Sequence, residues 1–74
     1  MITSSVIKAW AKRPENKERA KALGLRLFQN QANPENIRSL PSLGEFEDQA
    51  QEWAIENPAK AKLLIISLAP MFLG

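Results

Sequence analysis

The 74-residue chain contains neither cysteine nor histidine. The first absence removes disulfides, and the two together remove the ligand set of a structural zinc site. They also remove the commonest general base and the thiol nucleophile. Glycine occurs three times, as the isolated Gly24, Gly44 and Gly74, so no glycine-rich phosphate loop is present. Ser4, Ser5, Ser39, Ser42 and Ser67 lack an evident base partner in the sequence. The expectation is a non-enzyme that carries no metal and no cofactor.

Long apolar runs are also missing. The most apolar stretch, Leu63 to Leu73, spans 11 residues and includes Ser67 and Pro70. A membrane-spanning helix needs about 20. The first residues, Met1 to Ile7, lack the basic segment and long apolar stretch of a secretory leader. These features lead to the expectation of a cytoplasmic protein that does not enter the membrane.

The length admits one domain, residues 1–74. A core of this size supplies only about 3–5 kcal/mol, and small folds commonly add disulfides, metals or a partner. With the first two excluded, close helix packing or association with another chain must contribute.

Prolines punctuate what is present. Pro14, Pro34 and Pro58 each sit where a helix begins, since the first turn does not need the missing N–H. Asn33 and Asn57 stand ready as caps, and Glu15 and Glu35 fall in first turns, where the helix dipole favours negative charge. Ser42-Leu43-Gly44-Glu45 has the form of a capping box. The spacing predicts helices over 5–12, 14–30, 43–56 and 58–69, with a short turn over 34–40. Pro14 either opens the second helix or kinks a continuous one at the Trp10 carbonyl. Pro70 is expected to end the last helix, with Met71, Phe72 and Leu73 folding back onto the bundle. No segment alternates with period two. The fold class is therefore all-α, a small compact array of four to five short helices.

Apolar stripes define the expected core. Ala20, Leu23, Gly24, Leu27 and Phe28 share one face of the second helix. Leu43, Phe46, Ala50, Trp53 and Ala54 share one face of the 43–56 helix, leaving Glu45, Glu47, Asp48, Gln49, Glu52 and Glu56 to solvent. Trp10 and Trp53 are expected in the core. The last helix is apolar nearly all round from Leu63 to Leu68, which suits a central helix or one covered by a second subunit.

Charge divides along the chain. Residues 1–38 carry eight basic and three acidic side chains, a net of +5, and residues 39–74 carry two basic and five acidic, a net of −3. Lys12, Arg13, Lys17, Arg19, Lys21 and Arg26 are the candidate contacts to a partner or to nucleic-acid phosphates. Glu45, Asp48, Glu52 and Glu56 form the candidate acidic face; the spacing of Glu45 and Glu47 does not suit a cation cage. The run Ala20-Lys21-Ala22-Leu23-Gly24-Leu25 has the alanine-to-glycine spacing of a helix-turn-helix junction. Arg19, Leu27 and Phe28 depart from the rest of that pattern, and Gly24 reads as a packing glycine.

The expected function is a non-enzymatic protein–protein interaction module, an adaptor, inhibitor or regulatory subunit, with another protein as partner. A homodimer through the apolar C-terminal helix is one form of it. The alternative is nucleic-acid binding through residues 8–26.

Overall fold

The computed structural model describes residues 1–30 and 33–73. They form five helices and no strand: α1 (Ser4–Lys12), a 3-10 turn (Pro14–Asn16), α2 (Lys17–Asn30), α3 (Pro34–Ser39), α4 (Glu45–Glu56) and α5 (Pro58–Phe72).

Three prolines act as helix starts. Thr3 caps α1, its hydroxyl accepting from the Val6 N–H at 3.2 Å. Arg13 then turns extended, and Pro14 opens the 3-10 turn, so there is a break and not a kink. Pro14 cannot supply the amide that Trp10 O would receive in a continuous helix. The buried Asn16 side chain supplies it instead, its Nδ2 donating to Trp10 O at 2.9 Å. Asn33 caps α3 through the Asn36 N–H at 3.3 Å, and the expected turn over 34–40 is a short helix. Asn57 does not cap α5; its Nδ2 donates backwards to Trp53 O at 2.9 Å and closes α4.

Two further expectations about helix ends fail for identifiable reasons. The Ser42 capping box does not form. Gly44 is the N-cap of α4, at φ 152, a conformation that favours glycine. A Cβ there would also lie 2.5 Å from Glu47 Oε1. Asp48, one turn into α4, accepts instead from the Ser42 hydroxyl and from the Leu43 N–H at 3.3 Å. The helix thus starts at Glu45 and not at Leu43.

The second failure is Pro70, which lies inside α5 instead of ending it. An interior proline costs about 3 kcal/mol through a lost hydrogen bond and a clash with the preceding turn. What holds the last turn is packing: Met71 and Phe72 lie against the core as part of the helix. Leu73 N–H still bonds to Ala69 O at 2.8 Å.

The core joins Ile7 and Ala11 of α1, Ala20, Leu23 and Leu27 of α2, Ala50 and Ala54 of α4, and Ala61, Leu64, Ile65 and Leu68 of α5. Five of these are alanines, which let helix backbones approach closely but bury little apolar area each. Trp10 and Trp53 are only partly buried and flank this core instead of filling it.

Gly24 lies in the middle of α2, which excludes a helix-turn-helix junction there. It is buried where α2 meets α5. A Cβ at this position would meet Phe72 Cδ1 at 2.6 Å and Leu68 Cβ at 3.6 Å. Phe72 occupies that space and meets Phe28 at 5.7 Å between ring centroids.

Gly24→Val is therefore expected to lower the melting temperature. Phe72→Ala should cost about 2 kcal/mol, less than a fully buried phenylalanine. In the Phe72→Ala background, Gly24→Ala should become stabilising by up to about 1 kcal/mol, the helix-propensity gain with the clash removed. A thermal-melt double-mutant cycle checks this; additive effects contradict it.

Candidate interaction surfaces

The oppositely charged helices meet each other. Arg19 of α2 grips Glu47 of α4 in a bidentate pair, Nε to Oε2 and Nη2 to Oε1, both 2.7 Å. Glu47, expected on the solvent side of α4, is 1% exposed. The inward face of α4 comprises Glu47, Ala50, Gln51 and Ala54, rotated from the expected stripe toward its polar edge. Phe46 and Trp53 remain packed along its margin.

The arginine is shared. Its guanidinium carbon lies 5.4 Å from the centroid of the Trp10 ring, within cation–π range. Trp10 in turn stacks on Phe46, centroids 4.6 Å apart and planes 25° apart. One side chain of α2 thereby links α1 to α4. The hydrogen bonds from Arg19 hold the Glu47 carboxyl below its ordinary pKa, against the opposing effect of burial. The same bonds raise Arg19 above its ordinary value.

Other candidate residues are engaged within the chain. Arg26 donates to Pro41 O at 2.6 Å, tying α2 to the loop before α4. Glu52 pairs with Arg38 at 3.3 Å, both half exposed; exposed pairs contribute about 0–1 kcal/mol. Asp48 is held by Ser42 and Leu43. Glu45 and Glu56 are exposed.

Lys12, Arg13, Lys17 and Lys21 are exposed and make no ion pair among the described residues. Lys12 and Arg13 end α1, while Lys17 and Lys21 lie one turn apart on α2. Asp48, Glu52 and Glu56 line one open groove of about 900 Å³ between the start of α1 and α4, which Ile2 and Trp53 also line. Glu45 lies outside it. Lys60 also lines the groove, so it is not uniformly acidic. No group of three or more acidic side chains among the described residues is placed to hold a metal ion.

The most unusual surface is on α5. Its inner face buries Ala61, Leu64, Ile65 and Leu68. Its opposite face leaves Leu63, Ile66 and Leu73 at 64%, 68% and 64% exposure. Single exposed aliphatics are ordinary, but aligned ones mark contact surfaces. The apolar circumference was readable in the sequence; which side stayed uncovered was not. Among the described residues no helix is long and apolar enough to cross a membrane. Comparison with protein-family models, curated proteins and solved structures yields no match.

The Arg19–Glu47 pair has a pH signature. Because the folded carboxyl has a lowered pKa, its stabilisation is intact above the unfolded value of about 4.3 and is lost as pH falls below it. Arg19→Met leaves a buried carboxylate without its counterion, which raises its pKa by desolvation. Melting of that variant should be depressed most at neutral pH and should approach wild type on acidification. An equal depression at all pH values contradicts the pairing.

Proposed function

We propose that this chain is a non-enzymatic protein–protein interaction module whose binding element is the outward apolar ridge of α5. The observation that carries the reading is the alignment of Leu63, Ile66 and Leu73 on one exposed face of a helix whose other face is already buried. The ridge, at positions i, i+3 and i+10 along one face, resembles the apolar anchors of helix-to-helix recognition. The charged faces support binding less strongly. Arg19 and Arg26 serve the fold, and Glu52 and Asp48 have partners within the chain.

Leu63→Asp and Ile66→Asp alter exposed positions, so each should change stability by only about 0.5 kcal/mol. Either should abolish the association that tagged wild-type protein forms with another chain or another copy. Unchanged association in both variants, or none by wild type, contradicts the reading.

A second reading, nucleic-acid binding, is favoured by Lys12, Arg13, Lys17 and Lys21, which are exposed and have no ion-pair partner among the described residues. If all four reach phosphates, log affinity should fall with log salt at a slope of about −3.6. A gel-shift titration of duplex DNA and RNA tests it, and the absence of any shift at low salt removes it.

A further inference from the structure

Ala59, Leu63, Ile66 and Pro70 of α5 and its C-cap Leu73 follow one another at alternating steps of four and three, and all are exposed. That is the spacing of a coiled-coil seam. Building on the ridge reading above, we propose that the partner of this ridge is a second copy of the same chain, with the two α5 helices packed antiparallel.

Self-complementarity fixes a register. With the two-fold axis at the level of Leu68, Leu63 meets the partner's Leu73 and Ile66 meets the partner's Pro70. Symmetry repeats both contacts, so every large ridge residue enters a layer. Leu68 itself points the other way, into its own core.

The charges select the antiparallel sense. Within α5 the only charged side chains are Lys60 and Lys62, both in its first half, and there is no acid. They flank the seam near the positive end of their own helix dipole. Antiparallel packing carries them to the carbonyl end of the other helix, which favours cations. A parallel pair would gather four lysines at one end. The two helix dipoles also oppose each other in the antiparallel arrangement.

The size of the ridge sets the strength. From residue 63 to residue 73 it runs about 15 Å at 1.5 Å per residue. A contact of that length falls at the small end of specific interfaces, so the dimer should be weak and concentration-dependent. The alanine-rich core gives the association a structural role, because covering the ridge adds large aliphatic burial that five core alanines do not provide.

The cysteine-free background permits a direct test. Leu63→Cys/Leu73→Cys should form a covalent dimer under glutathione redox buffer. Leu63→Cys alone should not, because the antiparallel register offsets position 63 from its own copy by about 15 Å, beyond the roughly 7 Å that a disulfide spans between Cα atoms. Adding Ile66→Asp should reduce the double-variant dimer at least tenfold. Sedimentation of the wild-type chain from micromolar to millimolar concentration should show a monomer–dimer equilibrium that Ile66→Asp removes. Efficient dimerisation of Leu63→Cys alone overturns the antiparallel packing. A wild-type monomer at millimolar concentration overturns the second copy as partner. If that monomer still holds a different chain through the ridge, the interaction reading stands; if it holds nothing, both fall.

Discussion

Arg19 leaves α2 where α1 and α4 converge on it, and its guanidinium engages both. One edge forms two hydrogen bonds to the Glu47 carboxylate, while the cation lies near the Trp10 ring, which stacks on Phe46. Removing a charge from water is costly, so a buried carboxylate needs a geometrically good partner. Glu47 has one, and that requirement fixes the rotation of α4 about its own axis. The Gly44 N-cap fits the same constraint, because a side chain there would meet the carboxylate. The polar clamp on this side of the bundle is matched by the Gly24–Phe72 contact on the α2–α5 side, where the absence of one Cβ admits an aromatic ring.

These two contacts decide what the rest of the surface can do. Segregation of charge along the chain suggests a basic face for one partner and an acidic face for another. In the folded chain Arg19–Glu47 joins α2 to α4 and Arg38–Glu52 joins α3 to α4. Among the described residues, Lys12, Arg13, Lys17 and Lys21 stay without an ion-pair partner, and the apolar ridge of α5 stays uncovered. The ridge exists because α5 continues through Pro70. Had the helix stopped there, Leu73 would not continue the line of Leu63 and Ile66, and Phe72 could not reach Gly24 from a helical position.

The fold class and helix starts were legible because they rest on local chemistry. Pro14, Pro34 and Pro58 mark their starts through a missing donor, and Asn33 caps as its type suggests. The misreadings share a different cause. Glu47 reads as solvent-facing by polarity, since the partner that allows it inside lies 28 residues away. Pro70 reads as a stop on local grounds, but tertiary packing of Met71 and Phe72 overrides it. Ser42 satisfies the pattern of a capping box, while the φ of Gly44 and the reach of Asp48 settle the start of α4 differently. Of the candidate contacts, Arg19 and Arg26 were legible as charges but not as structural ones. The uncovered side of α5 could not be read at all without the positions of its neighbours.

The clamp between α2 and α4 requires a Glu47 carboxylate that is buried, charged and held by Arg19. A carbon-detected NMR titration of its side-chain carboxyl measures this directly. The expected midpoint lies below the ordinary glutamate range, since the arginine hydrogen bonds outweigh desolvation. A midpoint at or above that range would mean that the pair does not form, and that the charged halves of the chain are free to face partners instead of each other.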